Sequence, residues 1–194
     1  MYELPTTVTI NDTIYTIREK GDYRMVLDCF CVLNDIELDE KERVIACLMI
    51  FYEDFNDVES VLSLGEDELT SLIESAFSFF NCGQKHAAGE THYKTIDWEQ
   101  DSQLISSAVN KVAGKEIRAE QYVHWWTFMG YFNAVGESAL ATVVGIRDKI
   151  VKGKKLEKYE QRFRQDNPQY FVWDKRTVQQ KEDDELINQL WNKE

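Results

Sequence analysis

Residues 120–135 read EQYVHWWTFMGYFNAV, and 6 of these 16 side chains are aromatic. That much ring surface in one helix-length segment has to be covered, because each large aromatic buries roughly 150–250 Å². On a helical projection Tyr122, Trp126, Met129 and Val135 line one side. Trp125, Phe128 and Phe132 lie close to that stripe, and Tyr131 widens it. A helix that is apolar around most of its circumference is a central, buried one. Tyr122, Trp125, Trp126, Phe128 and Phe132 are therefore assigned to the core. A cofactor pocket would need converging charged or glycine-rich groups. The segment offers His124 alone, which is read as a structural histidine.

The elements around this helix follow from caps and periodicity. Residues 7–18, TVTINDTIYTIR, place β-branched side chains on either side of Asn11-Asp12, the pattern of a short hairpin. A lone hairpin is marginal in water, so this one is expected to pack on the rest of the chain. Downstream the apolar spacing changes to three and four. Asp22 is placed to cap a helix through Met25, Val26, Cys29, Phe30, Val32 and Leu33. Asp39 is placed to cap EKERVIACLMIFYEDF, and Gly65 precedes a third helix that ends near Cys82-Gly83. DWEQDSQLISSAVNKVAG supplies another, closed by Gly114, and Ser138 caps SALATVVGIRDKIV. With only 2 prolines and 9 glycines in 194 residues, long regular elements dominate. Residues 83–95, GQKHAAGETHYKT, break the pattern and are expected to form a mobile loop. The predicted fold is mainly α with a short N-terminal β-hairpin. Residues 1–20 form the hairpin, 21–166 the helical core and 167–194 a C-terminal segment with an amphipathic helix.

The chemistry of common enzyme sites is missing from the sequence. There is no Gly-x4-Gly-Lys-Ser/Thr loop, no Gly-x-Gly-x2-Gly turn and no Gly-x-Ser-x-Gly elbow. The cysteines at 29, 31, 47 and 82 and the histidines at 86, 92 and 124 lack a paired zinc spacing, so reduced thiols are expected. Cys82 and His86 come without an oxyanion-hole signature. No catalytic residue, cofactor or metal is assigned, and the chain reads as non-enzymatic. No window reaches the roughly 18 apolar residues of a membrane span, and MYELPTTVTI lacks the pattern of a signal peptide. A soluble intracellular protein without a membrane partner is the expectation.

The charge suits either a polar molecule that meets partners in a fixed orientation or an acidic surface that mainly provides solubility. The net charge is −13, and it is divided unevenly: residues 1–101 hold 22 Asp/Glu against 7 Lys/Arg, residues 102–194 hold 13 against 15. Nucleic acid is not an expected partner, since phosphates require a net basic face. Within the second half, Arg147, Lys149, Lys152, Lys154, Lys155, Lys158, Arg162 and Arg164 outnumber 3 acids. Such a run is either a solvated helix face or a dock for an acidic partner segment. The tail, TVQQKEDDELINQLWNKE, carries an apolar stripe of Leu186, Ile187, Leu190 and Trp191. It suits either partner contact or packing on its own domain. Partner contact is assigned to the basic run and to Leu186, Leu190 and Trp191.

The order of motifs adds a resemblance. A hairpin leads into Asp22-Tyr23-Arg24. Two helices and a polar loop precede DWEQDSQLISSA, and then come HWWTFMGYF, VVGIRDKI and, at 173–176, WDKR. Over nearly the whole chain this resembles the phage "gene product 15" family of long-tailed phages and prophages of Gram-positive bacteria. Gly145 departs from it, standing where that family more often has a bulky residue. The resemblance implies a tail assembly chaperone acting in the host bacterial cytoplasm. Such a protein binds the tape measure protein, keeps it soluble, helps major tail tube subunits polymerise and leaves before the virion matures. A homo-oligomer is left open. The alternative is a structural tail or connector component retained in the virion.

Overall fold

A computed structural model describes residues 3–84 and 95–173 of the chain. Strands β1 (Thr7–Ile10) and β2 (Thr13–Thr16) are followed by eight helices. These are α1 (Tyr23–Leu33), α2 (Glu40–Phe51), α3 (Val58–Leu62), α4 (Glu66–Phe80), α5 (Ser102–Ala113), α6 (Trp125–Asn133), α7 (Ala139–Val151) and α8 (Lys158–Asp166). The mainly helical fold with an N-terminal hairpin is as the sequence predicts.

The hairpin pairs Val8 with Tyr15 and Ile10 with Thr13. Asn11 and Asp12 both have positive φ, 49° and 64°. A two-residue turn of this kind matches the right-handed twist of the strands it joins. The hairpin is held to the helices through Tyr15, whose ring lies 5.9 Å from Tyr52 and 5.8 Å from Phe55. Its hydroxyl donates to Glu68 on α4 at 2.5 Å. Burial first, and this bond second, push the phenol up to about 12. The chain then reverses through three left-handed residues, Glu19, Lys20 and Gly21, with φ of 50°, 53° and 78°. Arg18, just before them, donates to the carbonyls of Met49, Ile50 and Tyr52 at 3.0–3.1 Å. It thereby satisfies the unpaired C-terminal end of α2, where a cation also suits the helix dipole.

The caps fall where the sequence puts them. Asp22 accepts from the Arg24 amide, Asp39 forms a reciprocal capping box with Glu42, and Ser138 accepts from the Ala141 amide. Gly114 closes α5 in the left-handed conformation at φ 70°. Helix α3, capped by Asp57, escapes the sequence reading because five residues are too few to show a helical period.

The helices pack in a continuous series. α7 lies on α5, α5 on α6, α6 on α1, and α1 on α2, which also carries α3 and α4. Phe51, Tyr52, Leu72, Val109 and Trp125 are among the side chains fully enclosed between them. A Cβ at Gly145 would meet nothing within 4 Å, so that departure from the family pattern leaves the packing untouched.

One core assignment is corrected. Tyr122 is 46% exposed, because α6 begins only at Trp125 and residues 120–123 lie outside any helix. Its hydroxyl donates to the Lys20 carbonyl at 3.0 Å while the ring faces solvent. Residues 85–94 of the predicted loop, and the tail with Leu186, Leu190 and Trp191, lie outside the described residues.

Candidate protein-binding surfaces

The motifs that carry the family resemblance converge on internal junctions. At the first, Asp22 accepts from the Val123 amide at 2.8 Å as well as from Arg24. The Arg24 guanidinium donates to both Asp22 oxygens at 3.1 and 3.2 Å and to the carbonyls of Glu120 and Arg118. Tyr23 stacks on Phe128 with centroids 4.6 Å apart and planes parallel within 1°. The start of α1 is thereby fixed to the approach of α6.

At the second junction Arg147 reaches Asp101 through two bonds, Nη1 at 2.5 Å and Nη2 at 2.9 Å. Its remaining donors take the Thr95 and Tyr170 carbonyls, and its face lies 4.3 Å from the Trp173 ring centroid. The planar fork of arginine suits this combination, which a lysine ammonium would not reproduce. Arg147 is 4% exposed, so the sequence assignment of this residue to partner contact is corrected. The signal was present in its spacing, since Arg147 follows Leu140 by seven and Val143 by four on the buried face of α7.

The His-Trp-Trp segment has an equally internal role. The His124 Nδ1 accepts from the Trp126 amide at 3.0 Å and caps α6, while Nε2 lies 3.1 Å from the Pro5 carbonyl. These contacts assign the ring proton to Nε2. The Trp125 and Trp126 indoles donate to the carbonyls of Phe80 and Phe79, each at 2.9 Å. Those are the final carbonyls of α4, which have no partner within their own helix. One tripeptide therefore caps the start of one helix and the end of another. Trp125 and Phe128 are fully buried, and Trp126 and Phe132 pack half-buried against the same core.

Among the described residues, no group of three or more His, Cys, Asp or Glu is placed to hold a metal. The thiols are unsuited to nucleophilic work. Contact with Cys47 and then burial hold the Cys29 thiol well above its ordinary pKa, and burial raises Cys31 and Cys82.

Among the described residues two outer surfaces stand out. One is the basic segment. Here Lys149 pairs with Glu160 at 2.6 Å, Lys152 with Asp148 at 2.6 Å, and Arg162 loosely with Asp166 at 3.7 Å. The bond from Lys149 holds the Glu160 carboxyl below its usual value. Lys154, Lys155, Lys158 and Arg164 are exposed and make no ion pair with another described residue. Ile150, Val151, Tyr159 and Val172 are exposed along the same stretch of chain.

The other surface is an open apolar groove of about 350 Å³ between α2, α3 and α4. Val44, Ile45, Leu62 and Leu69 form its floor, with Glu40 and Lys41 at its edge. From Asp35 to Glu68 the chain carries 12 Asp/Glu against 2 Lys/Arg, a balance of −10. Sequence reasoning missed the groove because its short side, α3, was not recognised as a helix.

The described residues form a helical scaffold whose junctions are internal, with a basic segment and an apolar groove on the outside. The family described as Bacteriophage Gp15 protein matches residues 1–171, and the chain belongs to that family, which is non-enzymatic and acts in phage morphogenesis. No curated protein and no solved structure matches the chain.

Proposed function

We propose that this protein is a tail assembly chaperone that binds the tape measure protein in the host cytoplasm and dissociates before the virion is complete. The observation that carries this reading is the basic surface of α7 and α8. Lysines and arginines that make no ion pair with another described residue stand along the same stretch of chain as exposed apolar side chains, which suits an acidic amphipathic helix. Lys149, Lys152, Lys154, Lys155, Lys158, Arg162 and Arg164 are the proposed contacts, with Leu186, Leu190 and Trp191 of the tail. The major tail tube protein is a second proposed partner.

Co-expression with fragments of the tape measure protein, followed by size exclusion with light scattering, tests the reading. A fragment that is insoluble alone should stay in solution and co-elute with the chain. Mass spectrometry of purified virions should then find the chain absent. A fixed copy number in the virion, with no fragment rescued, would instead make it a retained structural component.

A further inference from the structure

The apolar groove and the basic segment are complementary to each other, yet they lie at separate places in one molecule. The groove lies among α2, α3 and α4, and the basic segment runs along α7 and α8. In the packing series α5, α6 and α1 stand between them. Charge is opposed, with a balance of −10 over residues 35–68 and of +5, from 8 bases and 3 acids, over 147–164. The apolar surfaces correspond as well. Of the 12 large hydrophobics exposed among the described residues, Val58 and Leu62 belong to α3, and Ile150, Val151 and Tyr159 belong to the basic stretch.

The acids on the groove side have a local role, since Glu40, Glu42, Glu59, Glu66 and Asp67 sit in the first turns of their helices. There they favour the positive ends of the dipoles. Their fields nevertheless add over the common groove, whatever local purpose each serves. The cations of the basic segment have no comparable local reason at Lys154 and Lys155, which lie between α7 and α8.

We infer that the groove between α2, α3 and α4 receives the basic α7–α8 segment of a second copy of this chain, giving head-to-tail self-association. Two different patches meet in such a contact, so it is heterologous and extends to a ring or a row of copies rather than stopping at a symmetric dimer. Tyr159, Ile150 or Val151 fills the apolar floor, and Lys154, Lys155 and Lys158 face the acids of the rim. The tape measure protein, on the reading proposed above, competes for the same basic segment. Self-association then covers that surface until the partner arrives. Only this competition rests on the tape-measure reading; the association itself does not.

The chain alone suffices for the main test. Light scattering at about 0.01 M salt, where the Debye length is near 30 Å, should show a mass that climbs with concentration above the 22.8 kDa monomer. At about 1 M salt, where screening falls to about 3 Å, the mass should return towards the monomer. The triple variant Lys154→Glu/Lys155→Glu/Lys158→Glu should remain monomeric at both. So should Glu40→Lys/Glu59→Lys/Glu66→Lys. Mixing the two should restore association, because each then presents a charge-matched surface to the other. Retained helicity and melting temperature of the lysine variant certify its fold, since those lysines make no ion pair with another described residue. A wild-type mass of 22.8 kDa at every concentration and salt would overturn the proposal. So would a mixture that stays monomeric. If the wild type is monomeric and groove variants instead lose a tape measure fragment, the groove's occupant is that partner and the self-association is wrong. If self-association holds but no fragment binds, only the chaperone reading fails.

Discussion

Arg24 and Arg147 make nearly the same set of contacts at different depths. Each holds an aspartate with two or more bonds, each takes two backbone carbonyls from distant segments, and each lies over an aromatic ring at 4.7 or 4.3 Å. The side chain of Arg24 is 37% exposed and covers an Asp22 carboxylate that is 4% exposed, whereas those of Arg147 and Asp101 are 4% and 0% exposed. Removing Arg24 uncovers Asp22 and leaves it two amide donors, whereas removing Arg147 leaves the fully enclosed Asp101 with the Asp97 amide donating to it. Identical chemistry should therefore have unequal consequences, and burial decides which junction the fold depends on.

The largest effect is expected at the buried junction. Arg147→Ala removes the ion-pair partner of the buried Asp101 and leaves it the Asp97 amide, which costs about 3–5 kcal/mol. For a chain of this size that is a fall in Tm of roughly 6–20 °C. Urea unfolding measures it, and Arg147→Lys should recover only part of the loss because an ammonium lacks the planar fork. A loss no larger than that of Arg24→Ala would break the comparison.

Next comes Gly21→Ala, beside the first junction. The new Cβ would stand 2.7 Å from the Phe79 ring and 3.1 Å from His124, on a backbone with φ 78°. Strain and overpacking together should cost about 2–3 kcal/mol in the same assay. Arg24→Ala should cost less, about 1 kcal/mol after discounting for solvent screening, since Asp22 keeps its two amide donors.

His124 sharpens the comparison through pH. Burial holds its pKa below the ordinary value, against smaller upward pulls from the Pro5 carbonyl and Asp22. The folded state thus takes up this proton at lower pH than the unfolded chain does. The stability it contributes is complete above a pH of about 6.5 and is lost as pH falls through the folded value. His124→Asn keeps a capping acceptor and removes the titration. Its unfolding free energy should vary less than the wild type's between about pH 7 and 5. Equal slopes would show that the ring is not the titrating group. The smallest effect belongs to Lys154→Glu/Lys155→Glu/Lys158→Glu, where stability should stay within about 0.5 kcal/mol of wild type.

The local events are legible along the chain. Caps at Asp22, Asp39 and Ser138, the Asn11-Asp12 turn and the left-handed Gly114 are each decided within a few residues. Helix periodicity and capping chemistry are short-range, so they can be read along the chain. The aromatic segment was likewise legible as core, but Tyr122 was not, because the start of α6 depends on His124 folding back onto the Trp126 amide.

The destination of the charges depends on neighbours that folding brings together. Arg147 counts as one basic residue among eight until Asp101, 46 positions earlier, is brought beside it. Arg18 reveals its purpose only when the end of α2 arrives. The groove exists because three short helical faces meet, and no one of them shows an unusual pattern. The physical reason is common to all three cases. Hydrogen-bond partners and solvent access are properties of neighbours in space, and charge counting along the chain records neither.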